Sequence, residues 1–179
     1  MNGGIGTPKT SLLVRAASEK DLDGIVKTNR LSLRTEKTNG LIQERTRREF
    51  AKLLAISKYF IVTESNGEIV GYAIILDEDA PYSENEIFSF YPIKYKNFVF
   101  IDQVAVRPDH RRKGVAKAMY GRFLSSEKKR VLVDFLVEPR NDESMAFHEA
   151  MGFKSIGDFI KLKNGMRAEV YEHSPKKLK

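Results

Sequence analysis

The chain has 179 residues, 41% of them apolar and 31% charged, with 31 Lys and Arg against 24 Asp and Glu for a net charge of +7. That length suits one domain and supports a core without staples. The absence of cysteine excludes disulfides, zinc–thiolate and iron–sulfur sites and a thiol nucleophile. The histidines, His110, His148 and His173, lack ligand spacing, so no metal is expected. No apolar run approaches the roughly 20 residues of a membrane span, and no secretory signal is visible. A cytoplasmic protein with no membrane contact is the expectation.

Charge is unevenly placed. Arg107, Arg111, Arg112, Lys113 and Lys117 cluster against a single acid, Asp109. Lys176, Lys177 and Lys179 add a basic tail. Asp77, Glu78, Asp79, Glu84 and Glu86 form an acidic run with no base among them. The pairing suggests an anionic ligand meeting a cationic one, although a charge run is more often a solvated face.

Residues 1–11 are Gly-rich and aperiodic and read as a flexible tail. A first strand is predicted over 12–17, and Ser18-Glu-Lys-Asp resembles a capping box before Leu22, Ile25 and Val26 at helical spacing. A second helical pattern covers 43–56, with Arg45, Arg47 and Arg48 away from Phe50, Leu53 and Leu54; residues 31–41 read as loop or helix extension. Strands over 59–64 and 68–76 flank Ser65-Asn66-Gly67, a hairpin signal. Residues 77–96 read as a long connection, acidic first and aromatic later. A strand over 98–106 is ended by Pro108, and a helix follows from Gly114 to about Lys128. A strand over 131–137, a loop and a helix over 144–151 come next, stopped by Gly152. The last strands, 153–159 and 168–172, surround Asn164-Gly165. Strands interrupted by helices argue an α/β (α+β) fold, a mixed sheet with helices on its faces. The expected domain runs over 12–172, with a basic tail over 173–179.

The most informative stretch is Val104-Ala105-Val106-Arg107-Pro108-Asp109-His110-Arg111-Arg112-Lys113-Gly114-Val115-Ala116-Lys117. A strand ends, a polar turn follows, and a helix opens at a glycine. A helix start offers unpaired N–H groups and the positive end of the dipole, where phosphates bind readily. Gly114 and Ala116 lack bulk, and Arg111, Arg112, Lys113 and Lys117 supply charge. Neither a Walker A loop nor a GxGxxG fingerprint is present.

Arg-Arg-Lys-Gly-Val-Ala, residues 111–116, is similar to the Arg/Gln-x-x-Gly-x-Gly/Ala signature of the GNAT (Gcn5-related) acyltransferase superfamily. Residues 141–153, an Asn followed by a helix ending in Gly-Phe, resemble the late segment of the same superfamily. The resemblance spans nearly the whole of 12–172 and carries no substrate-class signature. It implies a mostly antiparallel central sheet flanked by helices and acetyl-CoA as cofactor. It implies that Val104, Ala105, Val106, Arg111, Arg112, Lys113, Gly114, Val115, Ala116, Lys117, Asn141, Ser144 and His148 bind that cofactor. The two strands 98–106 and 131–137 should splay so that pantetheine inserts between them. Dimerisation is common in the superfamily, and nothing in this sequence fixes it.

The implied activity is direct transfer of acetyl from acetyl-CoA to a primary amine of a small molecule or protein. An ammonium has no lone pair and an unperturbed Lys has a pKa of about 10.4, so the amine needs a base. The oxyanion that forms needs a donor, implied to be a backbone N–H near Val104. Asp102 is the first candidate base: an acid in a largely apolar strand needs a partner or a task. Alternation places it on one face with Val104 and Val106, opposite Gln103 and Ala105. A purely structural pairing with an Arg weighs equally. Glu64 and Asp134 are lesser candidates. His148 stands where many superfamily members carry the Tyr that protonates the CoA sulfur. Imidazole could substitute, or the ring could only contact cofactor or pack by Phe147 and Met151. Tyr120 reads as packing. On the acceptor side, the acids of 77–86 with Phe88, Phe90 and Tyr91 favour a cationic amine, whereas Arg45, Arg47 and Arg48 favour an anion. The alternatives are an acyl-CoA-binding module without chemistry and, more weakly, a basic nucleic-acid binder, for which no helix-turn-helix or aromatic–basic repeat speaks.

Overall fold

A computed structural model describes residues 11–33 and 42–175. All but Ser11 of the tail expected over 1–11, most of the 31–41 segment and Lys176, Lys177 and Lys179 lie outside the described residues. The elements are β1 (Leu12–Ala16), α1 (Leu22–Leu33), α2 (Arg47–Ile56), β2 (Tyr59–Ser65), β3 (Glu68–Asp77), α3 (Glu86–Lys94), β4 (Phe98–Val106), α4 (Val115–Leu124), β5 (Arg130–Leu136), α5 (Asp142–Ala150), β6 (Lys154–Lys161) and β7 (Arg167–His173).

The strands form one sheet in the order β1-β2-β3-β4-β5-β7-β6. Every neighbouring pair is antiparallel except β4 and β5, which run parallel. Asn66 and Gly67 both take positive φ, 51° and 79°, which lets a two-residue turn follow the strand twist between β2 and β3.

Helix starts follow local chemistry. Ser18 and Asp21 form the capping box read from the sequence, around a single 3-10 turn that leads into α1. The second helix begins at Arg47 rather than at residue 43, because Thr46 takes the cap. Glu49 accepts the Thr46 N–H at 2.7 Å while the Thr46 hydroxyl accepts the Glu49 N–H. The 77–96 connection contains α3, which the sequence reading treats as loop. It buries Phe88 and Tyr91 but exposes Phe90 and Ile93, so no apolar stripe marks it.

The sheet separates two cores. On one face Leu22, Ile25, Phe50, Leu53, Phe88 and Tyr91 pack on Tyr72, Phe98 and Phe100. On the other, Val115, Met119, Phe123, Met145 and Phe153 pack on Ile75, Val99 and Ile101. Each such side chain contributes about 1.5–3 kcal/mol by leaving water. Gly71 brings α4 close to the sheet: a Cβ there would lie 2.8 Å from Val115 Cγ1. The first turn of α4 is thereby seated on β3 beside the end of β4.

Candidate active site

The register of β4 changes in the middle of the strand. Ile74 of β3 faces Gln103 and Ile75 faces Ile101, so Asp102 is the extra residue of a β-bulge. Simple alternation, which puts Asp102 with Val104 and Val106 and opposite Gln103, is therefore wrong. Asp102 and Gln103 both turn toward α1 and α2, while Val104 and Val106 pack on the opposite core.

Arg45 meets them there. It is only 3% exposed and precedes α2 rather than lying on its surface. Its Nη2 is 3.0 Å from Asp102 Oδ2 and donates to Tyr82 Oη at 3.1 Å and Gln43 Oε1 at 3.0 Å. Its Nη1 donates to Gln103 Oε1. Gln103 Nε2 and Asn29 Nδ2 donate to the Tyr72 hydroxyl at 3.0 and 2.9 Å. A buried guanidinium is tolerable only when paired in this way. Burial pushes the Asp102 carboxyl up, and the Arg45 guanidinium and the Asn85 amide oppose that rise.

Strands β4 and β5 pair at Phe98–Arg130, Val99–Val131 and Phe100–Leu132, and the ladder between them goes no further among the described residues. The two strands then part, and β4 has no ladder partner on β5 from Ile101 onward; the Val106 carbonyl is taken by Ser32 Oγ and Arg111 Nε, each at 3.3 Å. Asp134 stands two residues past the last rung. Burial pushes its carboxyl up to about 7, with the Asp102 charge adding to the rise and a hydrogen bond from the Tyr91 hydroxyl, 3.1 Å from Oδ1, opposing it. Glu64 is placed elsewhere: Arg15 holds it at 3.0 Å beside β1. Asp77 and Glu78 are also occupied, by Lys58 and Lys129, so they do not supply the acceptor-side charge the acidic run suggests.

At the far end of β4 the chain turns into α4. Gly114 caps the helix with φ 81°, a left-handed conformation that suits glycine. A Cβ at Gly114 would meet nothing within 4 Å. The first α4 bond of this cap runs from Ala118 N–H to Gly114 O, so the N–H groups of Val115, Ala116 and Lys117 precede it at the helix mouth. Arg112, Lys113 and Lys117 are exposed around that mouth, and Arg111 is half-buried with its Nε 3.3 Å from Val106 O. Open backbone donors, a glycine cap and four cations fit a diphosphate.

Asn141 caps α5, its Oδ1 accepting the Ser144 N–H at 3.1 Å. His148 lies one turn on and is buried among Phe135, Phe147, Phe153 and Tyr120. Its Nδ1 donates to Ser144 O at 2.7 Å, which leaves Nε2 to accept from the Tyr120 hydroxyl at 2.5 Å. Burial lowers the imidazole to about 4, so the ring is neutral at pH 7.

The sequence reading misses Asn85 and Tyr91 as partners of the carboxylates and Gln103 as a partner of Arg45. No local spacing rule points to them, because the bulge that turns Asp102 and Gln103 the same way is set by the register of β4 on β3.

Comparison with known proteins gives the family. A model of the acetyltransferase (GNAT) family matches residues 29–153, and the chain belongs to that family. Its chemistry is accordingly acetyl transfer. Among solved structures it is similar to smu.2055 from Streptococcus mutans UA159, with a TM-score of 0.68 and 18% identity over 92% of this chain and 99% of that one. It is similar to PaiA N-acetyltransferase from Thermoplasma acidophilum in complex with coenzyme A, with a TM-score of 0.65 and 12% identity over 91% of this chain and 99% of that one. It is also similar to yncA, a putative acetyltransferase from Salmonella typhimurium solved with acetyl-CoA, with a TM-score of 0.62 and 19% identity over 93% and 95% of the two chains. At these identities the likeness shows the fold. No curated protein matches the chain in sequence. Among the described residues no helix is long and apolar enough to cross a membrane.

Proposed function

We propose that the protein is an N-acetyltransferase that moves acetyl from acetyl-CoA directly to a primary amine. The observation that carries the reading is the parting of β4 from β5, with Asp134 just beyond the last rung and a phosphate-ready helix mouth at the end of β4. Acetyl-CoA supplies an activated thioester acetyl group. Arg111, Arg112, Lys113, Gly114, Val115, Ala116 and Lys117 hold its diphosphate. The β4 backbone at Val104, Ala105 and Val106, unpaired with β5, takes its amide-bearing arm, with Arg111 giving up its contact to the Val106 carbonyl for the diphosphate, and Asn141 and Ser144 flank it from α5.

Asp134 takes the proton from the amine. A carboxylate pushed to about 7 is half ionised at neutral pH and is a stronger base than an ordinary aspartate. Asp102, its charge balanced by Arg45, holds the polar cluster behind Asp134 and adds no net charge to the acceptor side. His148 is not the proton donor in this reading, since both ring nitrogens are engaged inside the protein. It supports the cofactor side by joining α4 to α5.

The test is thiol release from acetyl-CoA with a panel of amines: diamines, amino-acid amides and short peptides with free N-termini. Acceptor-dependent release, lost in Asp134→Asn, is expected. Tight acetyl-CoA binding with release no faster than the acceptor-free rate would instead make this a binding module.

A further inference from the structure

Helix α3 interrupts the connection between β3 and β4, and its cap and its buried face both touch the cleft carboxylates. Asn85, its cap residue, accepts the Phe88 N–H at Oδ1, 2.9 Å away, and donates from Nδ2 to Asp102 Oδ1 at 3.1 Å. Further along the helix, the Tyr91 hydroxyl donates to Asp134 Oδ1 at 3.1 Å. The Tyr91 ring is fully buried, with its centroid 4.5 Å from Phe100, 5.5 Å from Tyr95 and 5.8 Å from Phe98. That packing fixes where the hydroxyl points.

The helix is itself anchored from outside. Glu86 accepts the Lys163 N–H at 2.6 Å, Lys94 pairs with Asp158 at 2.8 Å, and the Tyr95 hydroxyl donates to Asp158 at 2.6 Å. It cannot drift from the carboxylates without breaking its contacts to the β6–β7 hairpin.

We propose that α3 orients and tunes the acetyl-transfer carboxylates, with Tyr91 the positioning residue for Asp134 and Asn85 the positioning residue for Asp102. The inference rests on Asp134 being the proton acceptor. A hydrogen bond to Oδ1 leaves Oδ2 for the amine and favours the ionised form. Among the described residues, Tyr91 and Asp102 are the titratable groups that act on Asp134. Tyr91 comes from α3, and Asp102 comes from β4 with Arg45 behind it. Val170 stands opposite on β7. Tyr91 therefore supplies the polar contact that offsets burial and the Asp102 charge.

The test is a carbon-13 NMR titration of the aspartate carboxyl carbons in the whole protein, with Asp134→Asn assigning the resonance. Tyr91→Phe should move the Asp134 midpoint upward by about half a pH unit or more. Asp102→Asn should move it downward, a control of opposite sign, and Asn85→Ala, which removes the other α3 contact, should move the Asp102 midpoint upward and keeps the test open should Tyr91→Phe fold poorly. A midpoint that Tyr91→Phe leaves unmoved overturns the inference alone. An Asp134→Asn protein that acetylates amines at the full rate removes the proton-acceptor reading, and the inference with it.

Discussion

Tyr120 donates its phenolic hydrogen to His148 Nε2 at 2.5 Å, across the gap between the helix that opens at the phosphate turn and the helix capped by Asn141. Both side chains are buried, and the hydrogen bond satisfies two polar atoms that have no access to water. Tyr120→Phe keeps the ring but strands Nε2, so it should cost about 1–3 kcal/mol in urea unfolding. A variant as stable as the parent would mean that the bond contributes nothing.

The same histidine and Asp134 should oppose each other as pH changes. His148 is depressed to about 4 in the fold against about 6.5 in the unfolded chain, so its contribution is present above 6.5 and lost as pH falls toward 4. Asp134 is raised to about 7, so its contribution is full below its unfolded value and lost as pH rises through 7. Between about pH 4 and 6.5 the two slopes have opposite sign. Asp134→Asn should therefore show a Tm that climbs more steeply with pH over this interval than the parent does. Parallel Tm curves would contradict the raised Asp134.

Arg45 is the hub of the buried polar cluster behind the cleft. Removing one member of a buried ion pair leaves the other charge stranded, at a cost of about 3–5 kcal/mol. Arg45→Ala should lose stability on that scale by chemical denaturation. The exposed pair Arg47–Asp23 gives the contrast: Arg47→Ala should change stability by under about 1 kcal/mol. Equal losses would mean that the buried cluster has no special weight.

Two glycines govern the phosphate turn by different means. Gly114 needs its positive φ and leaves the helix mouth open, so Gly114→Glu should both strain the cap and repel a diphosphate. Acetyl-CoA affinity should fall at least about tenfold, roughly 1.4 kcal/mol. Gly71→Ala presses on Val115 and should weaken binding indirectly, by shifting the first turn of α4. Calorimetry on folded variants checks both.

Much of this was legible in the sequence where the determinants are local. The cap at Ser18, the Asn66-Gly67 turn, strand β4 and the glycine-opened α4 each follow from a few neighbouring residues. The face of Asp102 was not, because the bulge is set by the register of β4 on β3. Helix α3 escaped because aromatic residues lie on both its buried and its exposed sides and Pro92 sits inside it. The partner of His148 is Tyr120, 28 residues away, and no spacing rule joins them. The turn that should hold phosphate was read from residue types alone, whereas the carboxylate pair needed the sheet to bring β4, β5 and α3 together.

The most direct measurement is a calorimetric titration of the purified protein with acetyl-CoA at two salt concentrations. Stoichiometric binding that weakens as salt rises is expected, because cations around Gly114 meet a diphosphate. No binding by protein that circular dichroism shows to be folded would contradict it.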